Sequence, residues 1–162
     1  MADTRPRLIL MQGIPGCGKS SAMKNYRWDC NLICRDDIRK AMDCYGDKWD
    51  EKREKDVHFV AAKQLEALMI RGLSVVLDET HTSIKNVMRE LKLADKYEYK
   101  TILHRVYAPL ELCIERRSKS PDYVPEEVMI KLEDALVQNF PMYSLKKDWG
   151  SKFDEIVFTL GM

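Results

Sequence analysis

Three observations in this 162-residue sequence predict an α/β fold built on a central parallel sheet. Five short apolar runs recur along it, longer amphipathic segments separate them, and a glycine-rich or charged segment follows each of the first three runs. Continuous apolar runs, rather than alternating ones, suit strands covered on both faces. Strand and helix in steady rotation mean parallel strands joined by crossovers. The prediction is a three-layer sandwich with a sheet of four to five strands, a helical lid, and one domain over residues 1–162. A chain of this length buries roughly 70% of its unfolded surface, enough for one core without disulfides or structural metal.

The elements follow in order. Arg7 to Met11 reads as the first strand, ended by Gly13, and Asn31 to Cys34 as the second. From Asp50 to Arg71, Val57, Val60, Ala61, Leu65, Leu68 and Met69 recur at helical spacing, with Gly72 where a C-terminal cap belongs. Leu73 to Leu77 is the third strand. Ser83 can cap a helix whose inner face is Ile84, Val87, Met88, Leu91 and Ala94. Thr101 to Tyr107 is the fourth strand and Glu155 to Leu160 the fifth. Pro109 and Pro125 each suit a first helical turn, and Glu126-Glu127 suit the positive end of the second of these helices. In such a sheet the ligand crevice lies at the carboxyl ends of the strands.

Composition narrows the function classes. Lys plus Arg number 27 against 26 Asp plus Glu, a net charge of +1, which argues against a broad basic face coating nucleic acid. Cys17, Cys30, Cys34, Cys44 and Cys113 are irregularly spaced and form neither a disulfide framework nor a zinc ligand set. No run of about 18 apolar residues predicts a membrane span. The short apolar run after the N-terminus is too brief for a secretion signal, so a reduced, cytoplasmic setting is expected.

Four segments carry chemistry. Gly13-Ile14-Pro15-Gly16-Cys17-Gly18-Lys19-Ser20 fits G-x-x-x-x-G-K-[ST], the loop whose backbone N–H groups wrap a triphosphate. Its place after a strand and before a helix favours that reading over a plain turn. Lys19 would bridge the β- and γ-phosphates of ATP, and the Ser20 hydroxyl would ligate Mg²⁺. After the second strand, Asp36 of Arg35-Asp36-Asp37-Ile38-Arg39 can accept the proton of an attacking hydroxyl, with Arg39 one turn on to hold an acceptor's phosphate or carboxylate. The competing reading is a helix-capping Asp and a solvated Arg. After the third strand, Asp78-Glu79-Thr80-His81 offers a Mg²⁺-associated carboxylate, and spacing leaves Asp78 and Glu79 equal candidates. His81 reads as a polar contact near the cleft. Arg116-Arg117-Ser118-Lys119 suits a lid whose arginine offsets charge on a transferring phosphoryl group. Cys30 and Cys34 read as packing, His58 and His104 lack ligand company, and Tyr26, Trp28, Tyr45 and Trp49 read as core or rim rather than base-stacking rings.

Taken together, GIPGCGKSS, CRDDIR, VVLDETH, PLELCIERR and VPEEV resemble the kinase domain of phage-type 5′-polynucleotide kinases, over Leu8 to about Leu136. The resemblance implies phosphoryl transfer from ATP to the 5′-hydroxyl end of DNA or RNA. It puts Gly13, Pro15, Gly16, Cys17, Gly18, Lys19, Ser20 and Ser21 around ATP, and Ser20 with Asp78 at Mg²⁺. It makes Asp36 the base for the 5′-hydroxyl, Arg39 the clamp on the acceptor's phosphate, and Arg35, Thr80 and His81 further acceptor contacts. Arg116 becomes a lid arginine, with Lys119 or Arg117 standing in for a second. Three departures fall near acceptor and lid: His81 where asparagine is usual, Tyr107 where an aspartate often follows the fourth strand, and a lid shortened at Ser120-Pro121. They keep open a kinase of hydroxymethylated bases in DNA, or of a nucleoside or small alcohol. A nucleotide-dependent switch is the reading of another class, but it lacks an N-K-x-D segment and leaves Asp36 and Arg39 without a role.

Overall fold

The computed structural model describes residues 2–161. Five parallel strands, β1 (Arg7–Gln12), β2 (Asn31–Cys34), β3 (Val75–Asp78), β4 (Lys100–Tyr107) and β5 (Glu155–Leu160), lie in the order β2-β3-β1-β4-β5. Seven helices connect and follow them: α1 (Lys19–Met23), α2 (Arg35–Ala41), α3 (Glu51–Ile70), α4 (Ile84–Lys96), α5 (Leu110–Ser118), α6 (Glu126–Asn139) and α7 (Leu145–Trp149). The predicted α/β sandwich is therefore the fold. Leu8, Ile9, Leu10 and Met11 of central β1 are wholly buried, which is why that strand reads as an unbroken apolar run. No described helix is long and apolar enough to cross a membrane.

The strand order builds the crevice. The chain leaves β1 for β2, beyond β3, and leaves β3 for β4, beyond β1, so two adjacent strands send their connections in opposite directions. A cleft opens at the carboxyl ends of strands where that happens. Register then levels the rim, because Asp78 pairs with both Met11 of β1 and Cys34 of β2. The segments after β1, β2 and β3 start from one height.

Local signals set most element ends. The Asp50 carboxylate accepts from the Lys52 N–H at 2.9 Å and starts α3, and Ser83 Oγ accepts from the Asn86 N–H at 3.3 Å and starts α4. Gly72, at φ 68, ends α3 in the left-handed region. Three expectations need correction. The third strand begins at Val75 rather than Leu73, because the turn at Gly72 leaves Leu73 exposed. Ile84 and Met88 of α4 face solvent, while Val87, Glu90 and Ala94 face inward. Pro109 and Pro125 stand just before α5 and α6, with extended ψ values of 141 and 138, rather than inside the first turn.

Candidate active site

An open cleft of about 1200 Å³ runs along the carboxyl ends of the strands. One wall is the segment after β1. Gly16, at φ 83, and Gly18, at φ 103, turn the chain back through the left-handed region, so that α1 begins at Lys19 with its free N–H groups at the loop. A Cβ on Gly16 would lie 2.8 Å from the Cys113 carbonyl oxygen. The Gly13 N–H donates to the Thr80 carbonyl at 3.2 Å and ties the loop to the end of β3. Lys19 Nζ donates to the Gly13 and Ile14 carbonyls at 2.7 and 3.2 Å, and Arg116, from the end of α5, donates to the Gly16 carbonyl at 2.9 Å. Lys19, Arg116 and the loop thus form one hydrogen-bonded unit.

The opposite wall is the α2–α3 pair. Asp36, in the first turn of α2, keeps 48% of its side chain exposed and accepts from Arg39 Nη1 at 2.6 Å. The same guanidinium forks onto Glu54 of α3, with Nε and Nη2 donating at 3.0 and 2.5 Å. Trp49 Nε1 donates to that Glu54 at 3.1 Å. Burial alone would push the Glu54 carboxyl up, but the bonds from Arg39 outweigh it and hold the carboxyl below its ordinary value. Tyr45 also lines this wall, and burial pushes its phenol up to about 12.

Between the walls lie the residues after β3. Burial pushes the Asp78 carboxyl up against the pull of the Lys19 charge, and the Cys34 thiol donates to it at 3.6 Å. Glu79 turns the other way: its side chain is 7% exposed and sits 2.6 Å from Arg35 Nε. Asp78, Glu79 and Ser20 all line the cleft, but only Glu79 is paired with an arginine. Beneath, the wholly buried His81 ring donates from Nδ1 to the Met11 carbonyl, and its Nε2 lies 3.1 Å from Glu90 and 3.6 Å from Glu79. Burial by itself would lower the imidazole pKa; Glu90 and then Glu79 reverse that and raise it to about 9. Arg35 and a protonated His81 against Glu79 and Glu90 make a cluster balanced by its own residues.

Most predicted residues therefore meet at one cleft: Pro15, Gly16, Gly18, Lys19, Ser20, Ser21, Arg35, Asp36, Arg39, Asp78, Thr80 and Arg116 all line it. Gly13 and the buried Cys17 support the loop from behind. Two expectations change, and Arg39 stays at the cleft with partners of its own. His81 lies under the cleft instead of offering its ring to an acceptor, because φ 49 turns it inward to the Met11 carbonyl. Lys119 points into solvent and pairs with Glu115 at 2.7 Å, whereas Arg117 lines the cleft with a buried Nε that has no hydrogen-bond partner among the described residues. Arg39 already has two carboxylate partners. Sequence reasoning missed Glu54, Glu90 and Gly161, and read Trp49 as core or rim. Glu90 had a signal, a charged residue at the inward spacing of 87 and 94. Gly161 had another, a glycine directly after the last strand; a Cβ there would fall 1.6 Å from the Cys17 carbonyl oxygen.

A family model described as an AAA domain matches residues 8–139. Among solved structures, the chain is similar to two from Pnkp1/Rnl/Hen1 complexes. One, of the Pnkp1/Rnl/Hen1 RNA repair complex, gives a TM-score of 0.72 at 21% identity over 91% of this chain and 47% of that one. The other gives 0.62 at 20% over 72% and 40%, so the chain spans less than half the length of either. It is also similar to a structure of the PezAT chromosomal toxin–antitoxin system of Streptococcus pneumoniae, with a TM-score of 0.70 at 18% identity over 98% and 70%. A structure of AvrRxo1-ORF1:-ORF2 with ATP gives 0.66 at 18% over 90% and 51%. At these identities the likeness is one of fold.

Proposed function

The chain belongs to the AAA domain family and has the fold of the P-loop kinases, and from that premise we propose that it transfers the terminal phosphoryl group of ATP to a hydroxyl of a nucleic acid, at the 5′ end of DNA or RNA. The observation that carries this reading is the pairing of walls: a half-exposed carboxylate, Asp36, shares one cleft with the loop held by Lys19 and Arg116. A binding switch needs only the loop. An acid across the cleft from it has work to do when a hydroxyl must lose a proton.

In the proposed reaction the terminal phosphate of ATP sits over Lys19 and Arg116, whose charges match what develops on its oxygens. The acceptor oxygen attacks in line, the bond from phosphorus to the ADP oxygen breaks with its electron pair leaving on ADP, and the hydroxyl proton passes to Asp36. Arg39 holds Asp36 in place. The all-oxygen donor set of Ser20 and Asp78 fits Mg²⁺, which when bound offsets charge on the β- and γ-phosphates. The glycine-lined loop and the unpartnered Arg117 Nε likewise fit a polyphosphate. Similarity to a chain of an RNA repair complex supports a nucleic-acid acceptor, and similarity to a structure with ATP supports the donor.

The test is transfer from terminally labelled ATP to 5′-hydroxyl DNA, 5′-hydroxyl RNA, DNA with hydroxymethylated bases, and nucleosides. Label on the 5′ ends is the expected result. Label confined to the modified base or to nucleosides would replace the acceptor, and phosphate release without any labelled acceptor would overturn the kinase reading.

A further inference from the structure

Resting on that reading, we infer that the acceptor is gripped by its terminal nucleobase, stacked on Trp49, rather than by its phosphates. Charge makes the first part of the argument. The two arginines of the acceptor wall are already ion-paired, Arg39 with Asp36 and Glu54 and Arg35 with Glu79. Asp36 and Glu54 against the single Arg39 guanidinium leave that row of hydrogen-bonded side chains negative by one charge. His58, 3.6 Å from Glu54 and 3.4 Å from Arg35, adds none at neutral pH, because burial lowers its pKa. An acceptor phosphate there would meet a guanidinium that already gives three of its five N–H groups to Asp36 and Glu54 and whose charge they more than match. The cleft's other cations, Lys19, Arg116 and Arg117, bond to backbone carbonyls of the loop and of Asp122 rather than to the α2–α3 wall.

Geometry makes the second part. Trp49 lines the cleft and is 53% exposed, yet its ring is oriented by the bond from Nε1 to Glu54. An aromatic ring held by its polar edge and open on its face is a stacking surface that every nucleobase can use. The other aromatics do not offer the same face. Lys40 Nζ sits 4.8 Å from the centre of the Tyr45 ring; Tyr123 lines the cleft and is 62% exposed, but no side-chain hydrogen bond among the described residues orients its ring; and Trp28, though more exposed still, does not line the cleft. Trp49 is also fixed relative to the reacting group, because Asp36, Arg39, Glu54 and Trp49 form one unbroken row of hydrogen bonds. A hydroxyl on Asp36 and a base on Trp49 are then the two ends of one nucleotide. Trp49 is by this argument a specificity residue.

The test compares Trp49→Ala, Trp49→Phe and the unaltered protein, with 5′-hydroxyl oligonucleotides whose terminal residue carries a base or is abasic. Acceptor binding is measured alongside transfer. Trp49→Ala is expected to raise the acceptor KM about tenfold and leave the KM for ATP unchanged. Trp49→Phe, which keeps the ring face, should restore most of that loss, and the abasic end should be as poor an acceptor for the unaltered protein as the normal end is for Trp49→Ala. An abasic end used as well as a base-bearing one, or an unchanged acceptor KM in Trp49→Ala, overturns the inference and leaves the kinase reading standing. Oligonucleotide binding that depends on Trp49 without any phosphoryl transfer overturns the kinase reading and leaves the stacking site.

Discussion

The wall of the cleft proposed to hold the donor, from Gly13 to Ser21, is nine consecutive residues offering backbone N–H groups and one lysine; the wall proposed to hold the acceptor is four side chains from Asp36 to Glu54, tied across two helices and a loop. On the first wall shape comes from glycines, and almost any side chain added would collide with backbone. On the second, shape comes from ion pairs, which a single substitution can redirect. The contrast teaches where specificity can drift. A donor site made of main chain tolerates little change, whereas an acceptor site made of paired side chains can be retuned without disturbing its neighbour.

Breaking the donor wall should produce the largest effect. Gly16→Ala combines a φ of 83 with a Cβ 2.8 Å from the Cys113 carbonyl oxygen, so the loop must shift. Misplacement on that scale costs about a hundredfold. Steady-state kinetics should show the loss in kcat/KM for ATP, with the acceptor KM little changed. Breaking the acceptor wall should do the reverse and less. Glu54→Gln removes the charge that anchors Arg39 and orients Trp49, and roughly a tenfold fall in kcat/KM for the acceptor is expected, the size of one weakened charged hydrogen bond. ATP affinity, read by equilibrium titration, should stay as it was.

The cluster beneath the cleft separates stability from both walls. His81 is raised above its unfolded value of 6.5 to about 9, so its charge adds stability in full below pH 6.5, and that contribution is lost as pH rises toward 9. Thermal unfolding from pH 6 to 9.5 should show a falling Tm, and His81→Asn should flatten the slope. The smallest effect belongs to Lys119. Its ion pair with Glu115 is solvent-exposed, and Lys119→Ala should change transfer by less than about twofold.

Legibility in the sequence follows the same division. Five apolar runs and one contiguous loop were readable because their signals are local, and the shared rim followed from parallel order. The register that brings Cys34 and Met11 level with Asp78 needed the sheet itself. Glu54 could not be read at all: its partner Arg39 lies fifteen residues back in another helix, and no spacing rule links them. Met88 was placed on the inner face because hydropathy puts Met inside, and Glu90 was passed over for the same reason. The buried imidazole of His81 supplies the partner that lets a glutamate take that position instead. Trp49 was read as rim, and only its bond to Glu54 ties it to Asp36.

The most direct measurement is Asp36→Ala, assayed for phosphoryl transfer to a 5′-hydroxyl oligonucleotide and, on the same preparation, for ATP affinity. Loss of the proton acceptor should lower the transfer rate by about a hundred- to ten-thousandfold while ATP binds as before. Transfer that survives the substitution would contradict the account, and so would an ATP affinity that collapses with it, because the two walls would then not be separable.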